Sequence, residues 1–182
     1  MHFYFRYKDE IFFTWNKSDA LELEKFIQDI REQYRNVRHD RIIGKTAQFL
    51  NIRVENRDGQ LYSRVHHSPS IQLYRLPYVM GHSKLAYNEW FRLSLIRAVC
   101  GCSRVEGFQE ERLYLELTCL VNGYSLLFVK THVQHFFNYF QVPSMRYSTH
   151  QAMYDKFREQ WFDYMHRQHD LARELVKFNN RH

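Results

Sequence analysis

Apolar and polar residues follow one another in short blocks, and their spacing predicts a strand-rich start and a helical remainder. Two apolar-aromatic runs, Phe3 to Tyr7 and Ile11 to Trp15, flank the charged dipeptide Asp9-Glu10. This pattern predicts a β-hairpin with two carboxylates at or beside its tip. The following apolar positions recur every three or four residues, which predicts an amphipathic helix of about 16 residues. These positions are Leu23, Phe26, Ile27, Ile30 and Tyr34.

A second strand-like region comes next. Residues 47–55 alternate between apolar and polar side chains, and Asn56-Arg57-Asp58-Gly59 is a turn signal. The alternation resumes from Leu61 to Val65, so two antiparallel strands joined by this turn are predicted. Leu50 is expected on the apolar side of the first of these strands.

The remainder of the chain is predicted to be helical. One helix covers residues 84–100, and the capping-box pattern Ser103-x-x-Glu106 starts a second. Asn122-Gly123-Tyr124-Ser125 predicts a turn into a third helix, and two helices joined by such a turn resemble a helix-turn-helix. The apolar stripes expected to be buried are Phe108, Leu113, Leu117 and Leu120 in the second helix, and Leu126, Val129, Val133, Phe136 or Phe137, and Phe140 in the third.

A long last helix is predicted to follow the capping-box match Ser148-x-x-Gln151 and to end near Asn179. Its apolar positions are spaced alternately by three and four, which is a heptad seam with one polar member, Gln168. The seam suits either a dimer or partner-helix contact, or packing against the chain's own helices. Its apolar members are Tyr154, Phe157, Trp161, Tyr164, Leu171, Leu175 and Phe178.

Together these elements predict an α+β fold, with a small antiparallel sheet and a covering helix followed by a helical bundle and a long C-terminal helix. The expected segments are residues 1–78, 79–142 and 143–182. Hydrophobic residues make up 45% of the chain and aromatic residues 17%, which argues against disorder. No apolar run approaches the roughly 20 residues that cross a bilayer, so no membrane contact is expected.

The three cysteines, Cys100, Cys102 and Cys119, lack the spacing of a completed metal site. An odd count without such spacing favours free thiols in a reducing compartment. The expected location is therefore the nucleus or the cytoplasm.

Most of the formal charge of +6 arises in one stretch, because residues 64–104 hold six basic residues and one acidic residue, Glu89. A basic stretch suits a nucleic-acid backbone, since each neutralised phosphate releases counterions. A solvated face that keeps the protein soluble is the alternative. In the third predicted helix, polar side chains at steps of four suit contacts with a backbone or a base edge, or with solvent. The candidate contacts with RNA or DNA are Arg53, Arg64, Arg75, Lys84, Arg92, Arg97, Lys130 and Gln134.

Three sets of motifs carry a resemblance to a known family. Tyr7-Lys8-Asp9-Glu10, followed by Ile-Phe-Phe-Thr-Trp, resembles the Tyr-x-Asp-Asp hairpin of reverse transcriptases, most closely those of Penelope-like retroelements. Two later sets occur in the same order and resemble the hairpin after the palm and the helical thumb, so the resemblance covers residues 3–140. The later motifs are Phe49-Leu50-Asn51-Ile52 with Asp58-Gly59-Gln60-Leu61, then Tyr74-Arg75-Leu76-Pro77, Gly81-His82-Ser83, Leu95-Ile96-Arg97-Ala98 and Asn122-Gly123-Tyr124.

The resemblance implies an RNA-directed DNA polymerase, in which two metal ions clamp the attacking and leaving oxygens. Asp9 and Glu10 would then be remnants of the catalytic, metal-binding carboxylates, with Mg²⁺ as the cofactor if there is one. An ordinary polar turn is the alternative. Glu10 replaces the second Asp of the family box, and Asn51 stands where family members commonly carry Asp. The fingers and the strand with the first catalytic Asp would precede residue 1, so no polymerase activity is predicted for these 182 residues alone.

Two functions are therefore predicted. The first is a reverse-transcriptase fragment that binds nucleic acid of the primer-template type, with Arg53 and Arg64 contacting the primer strand. The second is an interaction module that forms a homodimer or docks a partner through the last helix.

Overall fold

The computed structural model describes the backbone of residues 4–15, 20–34, 40–68, 74–76 and 84–179, and the side chains of these residues other than 4, 84–86 and 169–179. Within these ranges the fold is α+β, as predicted, with two small antiparallel sheets, five α-helices and one short 3-10 helix. The elements are β1 (Tyr4–Tyr7), β2 (Glu10–Phe13), α1 (Ala20–Gln33), β3 (Thr46–Phe49), β4 (Ile52–Arg57), β5 (Gln60–Val65), α2 (Lys84–Gly101), α3 (Val105–Val121), α4 (Leu126–Tyr139), the 3-10 helix (Pro143–Tyr147) and α5 (Gln151–Asn179).

The chain divides into two compact units, residues 1–61 and residues 62–182, called here the N-terminal and C-terminal units. The division falls within β5. The boundary predicted between residues 78 and 79 lies outside the described residues.

In the N-terminal unit, β1 and β2 form the predicted antiparallel hairpin. Tyr7 pairs with Glu10, so the turn consists of Lys8 and Asp9, and Glu10 begins the second strand. Lys8 has a φ of 48°, a left-handed conformation that is uncommon for residues other than glycine.

The predicted covering helix is α1. The Phe26 ring lies 5.7 Å from the Phe13 ring and 5.6 Å from the Trp15 ring, so the helix contacts the end of the first hairpin. No side chain of α1 is fully buried.

The prediction of one strand over residues 47–55 was wrong, because the chain reverses at Leu50-Asn51. β3 pairs antiparallel with β4, with Phe49 opposite Ile52, and the sheet order is β3-β4-β5. Leu50 has a φ of 54° and is exposed, so it does not lie on the apolar side of a strand. An alternating pattern does not reveal a two-residue turn that lacks glycine, which explains the error. The predicted turn at Asp58-Gly59 is present, with φ values of 52° and 90°.

The C-terminal unit contains the hydrophobic core, to which α2, α3, α4, α5 and the 3-10 helix all contribute. Phe108 stacks on Tyr154 at 5.1 Å and meets Phe137 edge-on at 6.2 Å. The Tyr154 hydroxyl donates to the Cys102 carbonyl at 2.8 Å, which satisfies its polar end inside the core. The largest fully buried side chains are Tyr154, Phe91, Phe108, Phe137, Phe157, Leu95, Leu115, Met145, Val99, Val105, Val129 and Val133.

The start of α3 differs from the predicted capping box. Arg104 is the N-cap residue and makes no side-chain capping bond. Instead, the Val105 N–H donates to the Gln151 side-chain oxygen at 2.9 Å, so a residue of α5 caps α3. Ser103 is used elsewhere, because its hydroxyl accepts from the Ser63 N–H at 2.9 Å.

The predicted apolar stripe of α3 was also misplaced, since Leu113 is 50% exposed. The face that is buried runs through Phe108, Leu115 and Cys119 and includes the charged residues Glu111 and Arg112. In α4 the predicted stripe is buried at Val129, Val133, Phe136 and Phe137, whereas Leu126 is 53% exposed.

The heptad seam of α5 begins inside the chain's own core. Tyr154, Phe157 and Trp161 are fully buried, and the Trp161 ring lies 5.0 Å from the Phe140 ring. Of the two uses considered for the seam, this part therefore packs against the chain's own helices. Within the described parts of the chain, none of the helices has both the length and the apolar character that spanning a bilayer requires.

Candidate nucleic-acid interface

The predicted carboxylate pair lies at the turn of the first hairpin, and both residues are exposed. Asp9 is in the turn and Glu10 opens β2. One oxygen of Glu10 accepts a hydrogen bond from the Leu50 N–H at 3.3 Å, which ties the first hairpin to the turn between β3 and β4. Among the described residues no group of three or more His, Cys, Asp or Glu side chains could hold a metal ion. Within the described residues the pair thus has no third carboxylate, imidazole or thiol ligand beside it.

On the strands, the two predicted cations differ in environment. Arg53 of β4 is half-buried, and its Nε finds no hydrogen-bond partner among the described residues. Arg64 of β5 is exposed. A third cation that the site prediction omitted lies close to β5, since the Arg104 guanidinium sits 5.0 Å from the centre of the Tyr62 ring. Two hydrogen bonds hold β5 against the start of α3, because the Ser103 N–H donates to the Ser63 carbonyl and the Ser63 N–H donates to the Ser103 hydroxyl.

The basic residues of α2 are not all free to meet a ligand. Arg92 donates to the two oxygens of Glu89 at 3.0 and 2.6 Å, and this hydrogen bond raises the pKa of the guanidinium. Arg97 lies 3.6 Å from Glu111, which is buried. The charge excess counted along the sequence is therefore partly neutralised by contacts within the fold.

Glu111 is the centre of a charged cluster that the sequence did not predict. Its side chain is 6% exposed, and one oxygen lies 2.6 Å from His67 Nε2. The other oxygen faces Arg97 at 3.6 Å without a hydrogen bond. His67 follows β5 and supplies the partner that a buried carboxylate needs.

A stack of rings continues from this cluster to the residue before Arg75. The His67 ring lies 4.2 Å from Tyr114, which in turn stacks on Tyr74 at 5.1 Å. The Asn122 side chain donates to the Tyr74 carbonyl at 2.6 Å. These contacts hold Tyr74 against α3 and its C-cap residue, and the next residue, Arg75, is exposed.

The predicted polar side of α4 is exposed. Lys130, Gln134 and Asn138 lie at steps of four and are all solvent-accessible, while Val129, Val133 and Phe137 face the core. Ser125 starts the helix as its N-cap and accepts from the Phe128 N–H at 3.1 Å. α3 and α4 are thus two packed helices joined by a short turn with Gly123 at a φ of 87°.

Two further residues at this surface were not singled out from the sequence, one on α4 and one beside it. His135 belongs to α4 and is exposed. Arg146 of the 3-10 helix lines the same small pocket as Gln134 and Asn138. Only the fold brings Arg146 to this place, because the end of α4 and a change of chain direction separate it from Asn138. Side chains of four predicted site residues lie outside the described ones: Lys84, Leu171, Leu175 and Phe178.

The cysteine thiols are free, as the spacing predicted. Burial raises the pKa of Cys102 to about 11 and that of Cys119 to about 12, so neither is a thiolate at neutral pH. Comparison with protein-family models, curated proteins and solved structures found no match to this chain.

Proposed function

We propose that this protein binds the backbone and bases of nucleic acid through the C-terminal unit, with α4 as the principal contacting helix. The observation that carries the proposal is the exposed row Lys130, Gln134 and Asn138 on the second helix of a helix-turn-helix-like pair. The cation and the two amides supply phosphate attraction and base-edge hydrogen bonding on one helix. The same unit also carries the exposed cations Arg64, Arg75 and Arg104.

In this proposal the chain derives from a reverse transcriptase, with the first hairpin as a remnant of its metal-binding turn. The substrate class is a primer-template-type duplex or its unpaired strand. The 182 residues are proposed to be inactive as a polymerase by themselves, since Asp9 and Glu10 are only part of the required carboxylate set. Template-directed primer extension by the purified chain, with Mg²⁺ and deoxynucleotides, would contradict this part.

Binding is tested by fluorescence anisotropy of labelled duplex and single-stranded oligonucleotides across a salt series. The affinity should fall linearly in log–log form as salt rises, with a slope of roughly 0.9 for each phosphate contacted in B-form duplex and about 0.7 in single strands. A chain that does not bind any of these oligonucleotides at low salt would refute the proposal.

The residue test compares two charge-neutralising variants. Lys130→Gln removes one exposed cation from α4, and Lys156→Gln removes one exposed cation from α5 with the same change in net charge. We expect Lys130→Gln to weaken binding and to lower the salt slope by about 1, with a smaller effect from Lys156→Gln. Equal effects of the two variants would show that binding follows net charge and not the surface of α4.

A homodimer or partner-helix contact through α5 remains a second proposal, favoured by the extension of this helix to Asn179. Because Tyr154, Phe157 and Trp161 are buried within the fold, such a contact would use the later seam positions Leu171, Leu175 and Phe178. Leu175→Glu tests it at one of these later positions. Light scattering should show a dimer for the wild type and a monomer for the variant, and a monomeric wild type would exclude the homodimer.

A further inference from the structure

A pocket of about 160 Å³ opens where α4 meets the 3-10 helix. A protein cavity of about 150 Å³ holds benzene, so this pocket has the size of a single six-membered ring. Its lining residues are Gln134, Phe137, Asn138, Pro143 and Arg146.

The lining combines apolar surface with hydrogen-bonding groups. Phe137 is buried and Pro143 is exposed, and both present carbon atoms. Gln134 and Asn138 lie one helical turn apart, and each amide offers two donor hydrogens and an acceptor oxygen. The Arg146 Nε is buried without a hydrogen-bond partner among the described residues. A ring with its own donors and acceptors can pair with the two amides, which a purely apolar guest cannot do, so such a ring is the matching ligand.

We propose that this pocket binds one nucleobase of an unpaired strand, with the ring against Phe137 and Pro143 and its edge on the two amides. The inference rests on the proposed function and adds the chemical class that α4 recognises. Asn and Gln amides pair with base edges. A base must leave its stack to enter a ring-sized pocket, which is the usual mode of recognition for single strands.

The surroundings of the pocket suit the rest of such a strand. Lys130 is exposed one turn before Gln134, where it can meet a phosphate. The Tyr147 ring is 68% exposed, with the Arg146 guanidinium 4.9 Å from its centre. An exposed aromatic ring next to a cation is a surface on which a neighbouring base can stack.

A titration with uncharged nucleosides tests the pocket apart from any phosphate contact. Side-chain amide signals of the full ¹⁵N-labelled chain are followed while uridine, cytidine or adenosine is added at millimolar concentration. We expect shifts of the Gln134 and Asn138 amides, little change at the exposed Gln160 on α5, and little effect of ribose 5-phosphate. An absence of shifts with every nucleoside, or equal shifts with ribose 5-phosphate, would overturn the proposal that this pocket binds a base.

A second measurement uses a labelled single strand and the same strand with one abasic site. The double variant Gln134→Ala, Asn138→Ala should bind the intact strand about tenfold more weakly, because it removes the amides that pair with the base edge. It should lose less for the abasic strand, and Gln160→Ala should bind both like the wild type. Circular dichroism confirms that each variant is folded.

The two proposals fail in different ways. If Lys130→Gln weakens strand binding while the amide variants and base removal have no effect, the proposed function stands and the base pocket is wrong. If the wild type binds no strand, the proposed function is wrong, and the nucleoside titration still shows whether the pocket binds a base.

Discussion

The N-terminal and C-terminal units differ most in how completely they bury their apolar residues. Each fully buried hydrophobic side chain among the described residues belongs to the C-terminal unit, from Val65 to Trp161. In the N-terminal unit, by contrast, Phe5 is 55% exposed and Tyr7 and Ile11 are each 51% exposed. Both units contain predicted elements, namely the first hairpin and α1 in one and the helices in the other, although the turn at Leu50-Asn51 was not predicted. The local pattern therefore determines which helix or strand forms. How completely its apolar side chains are buried depends on how many elements pack around the same core.

The difference has a physical basis in size and geometry. A two-stranded hairpin or a small sheet with one helix buries little surface on its own. In the C-terminal unit, several helices and the 3-10 helix enclose one cluster of aromatic rings. The free energy of unfolding should be concentrated there, so the proposed binding surface of α4 is placed on the more rigid scaffold.

The largest expected effect comes from truncating a ring in each unit. Phe108→Ala removes a fully buried ring that contacts Tyr154 and Phe137, and should lower the free energy of unfolding by about 3–5 kcal/mol. Phe26→Ala removes a half-buried ring of α1 and should cost about 1 kcal/mol. Urea unfolding followed by circular dichroism measures both. Equal losses would mean that the two units share their stability evenly.

A smaller effect is expected from the buried charge. Glu111→Gln keeps the shape but removes the carboxylate that pairs with His67 and faces Arg97, and should destabilise the protein by about 1–3 kcal/mol. The adjacent and exposed Glu110 provides the matched control, for which Glu110→Gln should stay within about 0.5 kcal/mol. Thermal and urea unfolding of the two variants side by side would show whether the cluster stabilises the C-terminal unit. A loss for Glu110→Gln as large as that for Glu111→Gln would contradict this role.

The smallest effect concerns the surface pair of α2. The hydrogen bond from Arg92 lowers the pKa of Glu89. A carboxyl group with a lowered folded-state pKa stabilises the fold above its ordinary pKa and loses this contribution as the pH falls through the lowered value. The pair is exposed, so it should contribute no more than about 0.5 kcal/mol near neutral pH. Glu89→Gln should therefore differ slightly from the wild type at pH 7 and not at all in strong acid. A constant difference down to acid pH would point to another cause.

The sequence predicted those parts of the fold in which local periodicity is strong. α2 begins at the predicted Lys84, α4 is buried at the predicted valines, and Ser125 lies at the predicted restart after the turn. The turn at Leu50-Asn51 was missed because it lacks glycine, whereas the error at the start of α3 arose because a distant residue decides the outcome. Ser103 was expected to cap α3, but Gln151 does so, and Ser103 bonds to β5 instead.

The candidate site shows the same division. Lys130 and Gln134 could be named from their spacing and are exposed as expected. Arg146, in contrast, joins Gln134 and Asn138 only because the 3-10 helix turns back beside α4. Counting charges identifies the basic stretch of residues 64–104, but the count does not show that Arg97 faces the buried carboxylate of Glu111.

By itself, the sequence determined the α+β class, the helices and the hairpin turn at Asp58-Gly59, because these depend on spacing and turn residues within a few positions. Only the tertiary structure decided the partners of Glu111, the cap of α3 and the burial of the first half of the α5 seam. Those outcomes depend on which surfaces of different elements meet, as His67 meets Glu111 and Val105 meets Gln151, and the balance of desolvation and pairing at such contacts is absent from any local pattern.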